Sequence, residues 1–425
     1  MLSSYVNRGF ASRAALAVGV SLLALSAGAE AWAQQARDES VLRARDPSYK
    51  ADGIMMGGFI MYPTLEVGAE YDDNLFRTKH NRKDDILLTA RPGVSIQTDD
   101  WFPVNLTVSA IGEIGRHIEY SEEDYETFST SGRMTYDLAD DWRFDAGGAV
   151  TRNLQERGLD GDNNSSKPSI VWIYEASANL TYTGDPLAAR FSPVYRRYDF
   201  LDSGAQNNDD RDRQEYLADF RFGYKVGANT SVFVDPSYIW VRYDDAFDDS
   251  GFNRDSQGYD VRVGVGYDAS ELVYFEAAVG YFYRDYRDSR LKSESGMSAL
   301  GRFYWNPTET LSVEGEVRRG ITESEAISTT GGGSSKGAVT TSGSLRVGWA
   351  PFENVVLDVG AGYYNFNYNE DSRTDEFYLF DVGAKYFLNE YLYTTLRYAH
   401  ERRDSSSNSL DYRDNRVMLT IGGQL

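Results

Sequence analysis

The chain has 425 residues, a formal net charge of -22 and no cysteine. The lack of cysteine excludes a disulfide framework, a thiolate metal site and a lipid-modified N-terminal cysteine. A strongly acidic surface excludes nucleic acid as an expected partner. The combination of 31 Tyr, 21 Phe and 39 Gly with a mean hydropathy of -0.50 is unusual for soluble domains. It is typical of a polar interior behind an aromatic and apolar exterior, the arrangement of a membrane barrel.

Residues 1–33 are predicted to be a cleaved export signal. Arg8 and Arg13 precede the apolar run Ala14 to Ala27, and a small-x-small cleavage site lies at residues 31–33. The mature protein is therefore expected to start near Gln34. Residues 34–56 are charged and aperiodic, so we expect a periplasmic segment that either hangs free or folds into the barrel mouth.

From residue 57 to residue 425, segments of the chain alternate apolar with polar or small residues, the period of a strand with two different faces. A helix would mix the two kinds of residue on one side, and glycine and β-branched residues disfavour helix. Three segments carry the pattern most clearly, with apolar members Tyr259, Val261, Val263, Val265 and Tyr267; Tyr216, Ala218, Phe220, Phe222 and Tyr224; and Leu311, Val313, Gly315 and Val317.

Short and long connections alternate between these segments, which predicts serial β-hairpins. Short turns are expected around Asp99, Asp140, Asp185, Ala228, Ala269, Thr308, Phe352 and Asn389. The longer loops are polar, including Arg157 to Pro168, Leu201 to Arg211, Asp244 to Ser256 and Ser324 to Ala338. About eighteen strands follow, and we predict an all-β, transmembrane antiparallel up-and-down barrel with short periplasmic turns and longer extracellular loops.

Aromatic residues near strand ends and the last strand are consistent with this topology. Four tryptophans lie beside the short turns and five tyrosines lie near the expected outer ends, as interfacial belts require: Trp101, Trp142, Trp305 and Trp349; Tyr243, Tyr283, Tyr286, Tyr364 and Tyr368. Val417 to Leu425 alternates to the final residue, as a closing strand does. Leu425 departs from the terminal aromatic residue common in such barrels.

The segment GFIMYPTLEVGAEYDDNLF, from Gly58 to Phe76, resembles the opening of the putative β-barrel porin 2 family in Tyr62-Pro63, Leu65, Gly68 and Tyr71 to Asn74. The resemblance implies an outer-membrane conduit of a Gram-negative bacterium, often linked with secretion of an exopolysaccharide or capsule polymer. It carries no catalytic residues onto this chain.

Charged residues in phase with the polar face are expected to line the lumen, since Arg or Lys on the lipid face costs about 2–4 kcal/mol at the bilayer midplane. They are Asp260, Arg262, Glu276, Arg302, Glu314, Glu316, Arg318, Arg346, Asp358, Asp381, Lys385 and Arg397. They either pair into ladders that stiffen the wall or set the field of a channel. Tyr274, Phe282 and Tyr304 share this face and either stack on sugar rings or pack within the wall.

The candidates for catalytic or metal sites are three histidines, one loop and three acidic pairs. His80, His117 and His400 are scattered along the chain, which favours solvated histidines over a hydrolase. The loop Leu159 to Ser165 places Asp160, Asp162 and Asn164 in alternation, but Ser165 and Val171 replace the glycine and glutamate of a calcium loop. Three acidic pairs, Asp209-Asp210, Asp244-Asp245 and Asp248-Asp249, are candidates for divalent cations shared with lipopolysaccharide.

We therefore expect a pore of the bacterial outer membrane and no enzyme, cofactor or resident metal. The leading hypothesis is polysaccharide secretion with periplasmic export components as partners. The alternative is a general diffusion porin for small hydrophilic solutes. Outer-membrane lipid and lipopolysaccharide are the expected surroundings in both cases.

Overall fold

The computed structural model describes residues 40–42, 47–99, 101–155, 157–158, 167–203, 207–270, 272–323, 337–368 and 373–425. The predicted signal peptide, the expected start near Gln34 and the calcium-like loop at residues 159–165 lie outside these ranges. Short 3-10 helices occur at Pro47–Tyr49, Ser121–Glu123, Asp209–Arg211 and Asn408–Leu410. No helix in the described ranges is long and apolar enough to cross a membrane.

Nineteen strands form one antiparallel sheet within the described ranges. Their bounds are β1 Ile54–Met56, β2 Phe59–Asp72, β3 Asp85–Thr98, β4 Val104–His117, β5 Tyr125–Ala139, β6 Trp142–Leu154, β7 Ile170–Tyr182, β8 Leu187–Phe200, β9 Arg213–Lys225, β10 Thr230–Tyr243, β11 Ser256–Ser270, β12 Val273–Tyr286, β13 Glu294–Thr308, β14 Leu311–Glu323, β15 Gly337–Phe352, β16 Val355–Tyr368, β17 Arg373–Phe387, β18 Leu392–Ser405 and β19 Tyr412–Gln424.

Strands β2 to β19 close into a barrel of eighteen strands, each paired with its neighbours in sequence. The last strand meets the first along a seam where Arg416 pairs with Asp72 and Gln424 pairs with Thr64. The short strand β1 pairs only with β2, in a hairpin at one end of the barrel. All eight predicted short turns connect strand pairs as expected, and the predicted topology is confirmed.

The outer surface of the barrel is apolar because side chains alternate across each strand. In β11, Tyr259, Val261 and Val263 are exposed on the outside, while Asp260 and Arg262 point inward. In water these exposed side chains would be costly, and in a bilayer they face hydrocarbon.

The tryptophans near the short turns lie on the outer face, and Trp101, Trp142, Trp305 and Trp349 are all exposed. The prediction that five tyrosines form an interfacial belt is wrong for four of them. Tyr283 faces outward and stacks on Tyr259 with ring centroids 5.7 Å apart, but the other four share the register of inward-facing residues, and three of them are buried. A position near a strand end fixes the height of a side chain, whereas the parity of the residue number fixes its face.

Candidate functional site

The inner face of the barrel carries the charged residues selected from the sequence. The strand register places every one of them inward, alternating with exposed apolar neighbours: Asp260, Arg262, Glu276, Arg302, Glu314, Glu316, Arg318, Arg346, Asp358, Asp381, Lys385 and Arg397. Some of them belong to two ion-pair networks, and Glu316 is accessible with Arg302 and Arg318 beside it. Asp260 and Arg262 form a separate pair, and Glu314 accepts a hydrogen bond from Ser40. Lys385 lies over the rings of Phe387 and Tyr393.

The first network lies on the wall formed by β9 to β14. Arg221 bridges two carboxylates, with its guanidinium 2.5 Å from Asp235 and 3.0 Å from Glu276. It also stacks over Phe233, 4.0 Å from the ring centroid. Asp235 and Glu276 are each 1% exposed. These charges are therefore sealed into the wall, where each partner satisfies the other.

The same wall buries aromatic residues that were candidates for sugar stacking. Tyr274 is 2% exposed and Phe282 is 1% exposed. Tyr274 donates a hydrogen bond to Glu276 over 2.6 Å. Tyr304 is half-buried, with its ring centroid 6.1 Å from that of Tyr274. Stacking of sugars on Tyr274 and Phe282 is excluded in this conformation because neighbouring side chains cover both rings.

The second network is a closed quartet on β15 to β18, in which each arginine contacts both aspartates. Arg346 and Arg397 each bind Asp358 and Asp381, and the Arg346–Asp381 and Arg397–Asp358 contacts both measure 2.8 Å. Room for the quartet comes from glycine. A Cβ atom on Gly383 would lie 2.5 Å from Arg397 Nη2 and 2.6 Å from Asp358 Oδ1.

Accessible polar side chains lie on two other parts of the inner face, one on β5 and β6 and one on β14 and β15, on opposite sides of the ring. Arg133 pairs with Asp145 over 2.9 Å, and its side chain is 54% exposed. Glu316, whose carboxylate contacts Arg302 and Arg318, is 37% exposed, and Ser344 beside it is also exposed. Both signs of charge therefore border the accessible space.

The described residues that directly follow β6 lie inside the extracellular end of the barrel. We call Gln155, Arg157 and Gly158 the strap. Gly158 accepts a hydrogen bond of 2.6 Å from Arg403 in β18, although five strands separate β6 from β18 along the shorter way round the barrel. Gly158 has a positive φ of 75° and a Cβ atom there would lie 2.5 Å from Arg77 Cβ, so glycine is required.

Buried contacts hold the strap in place. Arg157 binds both carboxylate oxygens of Glu123 over 3.1 and 2.6 Å, and the two side chains are 7% and 6% exposed. Gln155 accepts a hydrogen bond of 2.8 Å from Arg211. A cavity of about 40 Å³ remains between the strap and the wall of β2 to β4. Nothing in the composition of the polar segment from Arg157 to Pro168 indicates that Arg157 is buried.

At the opposite end, the described part of the N-terminal segment lies inside the barrel. Ser40 donates a hydrogen bond of 2.7 Å to Glu314, and the Val41 N–H donates one of 2.9 Å to Ser312. Leu42 is 9% exposed and its side chain lies over Gly348. We call residues 40–42 the periplasmic segment.

The histidines do not form a catalytic centre in the described residues. His80 is exposed, whereas the side chain of His117 is only 5% exposed and its Nδ1 lies 3.2 Å from Asp85 Oδ2. The expectation of a solvated surface is therefore wrong for His117. The same carboxylate accepts backbone N–H bonds from Glu119 and Tyr120, which makes it an anchor for the loop. No described serine bonds to His117.

His400 lies on the outer face, and its Nδ1 is 2.8 Å from Asn415 Oδ1. Asp248 accepts backbone N–H bonds from Ser250 and Phe252, and Asp244 binds Arg197 over 2.7 Å. These contacts give two of the proposed cation-binding aspartates a role in loop structure.

Another acidic group, formed by Asp72, Asp73 and Asp414, has carboxylates close enough to share an ion. Arg77 lies 2.9 Å from Asp72 and 3.1 Å from Asp414. The guanidinium occupies the position that a cation would take, so this group carries no metal assignment.

A closed barrel with a lipid-compatible outer face and a charged lumen defines an outer-membrane porin. The chain belongs to the family described as putative beta-barrel porin 2, whose model matches residues 46–425. The resemblance seen at Gly58 to Phe76 is confirmed, and the protein is located in the bacterial outer membrane.

No curated protein matches the chain significantly. Solved structures that match include OpdK of Pseudomonas aeruginosa with vanillate, at 13% identity over 86% of this chain and 99% of that chain, with a TM-score of 0.45. OccAB4 of Acinetobacter baumannii matches at 11% identity over 89% of this chain and 100% of that chain, with a TM-score of 0.45. OpdL of Pseudomonas aeruginosa matches at 11% identity over 87% and 100%, with a TM-score of 0.42.

Proposed function

We propose that the protein is a diffusion channel for small hydrophilic solutes. The observation that carries the proposal is an accessible polar lining on two opposite sides of the ring: Arg133, paired with Asp145, on β5 and β6, and Glu316 with Ser344 on β14 and β15. A barrel of eighteen strands is wide enough for an aqueous channel unless internal segments fill it. Here, the strap and the periplasmic segment narrow it without removing its polar lining.

The charges that border this space favour hydrated solutes of either sign. Arg133 is paired with Asp145, and Glu316 is paired with Arg302 and Arg318. Because each accessible charge lies beside a charge of the opposite sign, the lining carries no strong field of a single sign. Such a lining orients polar solutes and gives weak selection between anions and cations.

Export of an exopolysaccharide, with periplasmic export components as partners, is the second candidate and is supported by the family resemblance. A polymer in transit must occupy both ends of the barrel at once. The strap crosses one end, and residues 40–42 occupy part of the other. Export would require both to be displaced together, whereas a small solute can pass beside them.

Liposome swelling with neutral sugars of increasing size tests the proposal. We expect swelling with monosaccharides and disaccharides, and a sharp fall for longer oligosaccharides. A deletion strain should show reduced uptake of the permeant sugars and an unchanged amount of surface polysaccharide. Loss of surface polysaccharide, together with liposomes that do not swell, would overturn the diffusion channel in favour of export.

A further inference from the structure

Two arginines face each other on the outer surface near the extracellular rim. Arg402 of β18 and Arg413 of β19 are direct partners in the antiparallel register. Both point outward, in phase with the exposed apolar residues Leu396 and Leu419. Like charges directly opposite each other on one face of a sheet are destabilising. The pair therefore needs compensating negative charge.

The protein supplies only part of that charge. Arg402 binds Asp404 on its own strand, with Nε 2.8 Å from Oδ1 and Nη2 2.7 Å from Oδ2. Arg413 is exposed, and its guanidinium makes no hydrogen bond or ion pair with the residues that the structure describes. One outward positive charge at this position is left for a group outside the protein.

The height of the pair on the barrel indicates where that group comes from. Arg402 lies about ten residues along β18 from its periplasmic start at Leu392. At roughly 3.3 Å per residue and a strand tilt of about 40°, this is a height of about 25 Å, the thickness of the apolar band. The guanidinium groups thus lie at the level of the outer-leaflet headgroups.

We propose that Arg402 and Arg413 bind a phosphate on the glucosamine headgroup of lipid A, the membrane anchor of lipopolysaccharide in the outer leaflet. Guanidinium groups match phosphate oxygens through paired N–H donors, and such charge-assisted bonds are the stronger class. A phosphate between the two side chains removes their mutual repulsion. On the same face, the Tyr398 hydroxyl donates a hydrogen bond to Asn415. Leu396 is exposed there to the hydrocarbon and would contact the acyl chains.

Arg319 provides a matched control. It also points outward from the extracellular part of its strand, β14, but it stands opposite Thr341 and donates a hydrogen bond of 2.5 Å to that hydroxyl. It has no arginine partner in the register. An Arg319→Gln variant removes the same charge from the same surface and leaves the proposed site intact.

The test measures binding of purified, folded protein in lipopolysaccharide-free detergent to rough-type lipopolysaccharide, by native mass spectrometry. We expect the Arg402→Gln/Arg413→Gln variant to lose about tenfold or more in affinity, since charge-assisted bonds are removed. The Arg319→Gln variant should bind like the parent. Dephosphorylated lipopolysaccharide should bind the parent as weakly as the double variant does. Competition by millimolar inorganic phosphate would contradict the lipid assignment and identify a site for the free anion.

Thermal unfolding of Arg413→Gln separates this site from a general folding defect. In detergent without lipopolysaccharide, the variant should unfold at the same temperature as the parent or higher, because repulsion is relieved. With lipopolysaccharide added, the order should reverse. A lower unfolding temperature in both conditions, or equal affinities for the double variant and the parent, would overturn the proposal.

Discussion

Release of the strap is the change that most directly tests the control of conduction. Arg157→Gln removes the two hydrogen bonds of 3.1 and 2.6 Å that hold Glu123. Because both side chains are almost fully buried, deleting one partner costs about 3–5 kcal/mol in the closed conformation. The lower end of this range applies because the amide of glutamine still has an N–H group that can donate to Glu123.

A loss of about 3 kcal/mol corresponds to about a 100-fold rise in the population of the released strap, at 1.4 kcal/mol per factor of ten. Single-channel recording in planar bilayers should show longer dwell times in a higher conductance level for Arg157→Gln. Arg290→Gln is the control, because it removes an exposed pair with Asp288 in the β12–β13 loop. Identical dwell-time distributions for the parent and a correctly folded Arg157→Gln protein would refute the role of the strap.

Three further predictions concern the lumen and the loops. Leu42→Asp places a charge against Gly348 and should release the periplasmic segment from the barrel. The release should appear as faster protease cleavage before residue 47 and as higher conductance. Unchanged cleavage would contradict the placement of Leu42 inside the barrel. Gly383→Ala should lower the free energy of unfolding by about 1–3 kcal/mol in urea titrations because its Cβ atom would enter the quartet. Gly343→Ala is the control and should have no such effect, since the nearest atom to its Cβ would be 4.0 Å away. Equal effects of the two substitutions would argue against the quartet. Burial, together with the nearby carboxylates of Asp199 and Asp244, raises the pKa of Asp212 to about 6. The Asp212 carboxyl group also accepts a hydrogen bond from the Phe200 N–H. Because the folded loop prefers the protonated acid, its stability is lost as pH rises through about 6. Hydrogen exchange at residues 207–212, corrected for intrinsic rates, should show more opening at pH 7 than at pH 5, and Asp212→Asn should abolish that difference.

Strand alternation made the barrel predictable from the sequence. In the segment from Tyr259 to Tyr267, a two-residue period is enough to assign each side chain to lipid or lumen. The strand register agrees with that assignment. The same alternation also assigns Asp235 of β10 to the lumen face, because it is the direct partner of Arg262 in the register. Arg221 alternates with Phe220 and Phe222 and so belongs to the polar face of its strand, but its bridge to Glu276 is a contact between β9 and β12 that no local pattern contains.

The features that narrow the lumen were not predictable, since they depend on contacts between distant loops and strands. Arg157 and Glu123 belong to different loops, and Gly158 meets Arg403 across the barrel mouth. Composition alone indicates a polar, solvated loop in each case. Burial of Phe282 likewise depends on the side chains of neighbouring strands, so the sequence identified its face and left its accessibility open.

The seam between β2 and β19 makes the first and last strands of the barrel interdependent. Until the last strand arrives, β2 presents unpaired N–H and C=O groups, which hydrocarbon does not tolerate. Membrane insertion can therefore finish only after the final residues are available, and Leu425 still donates its N–H to Pro63 at the seam's end. Affinity tags fused directly after Leu425 would interfere with the pairing of β19 with β2. Epitopes placed in extracellular loops away from the strap would leave this pairing undisturbed.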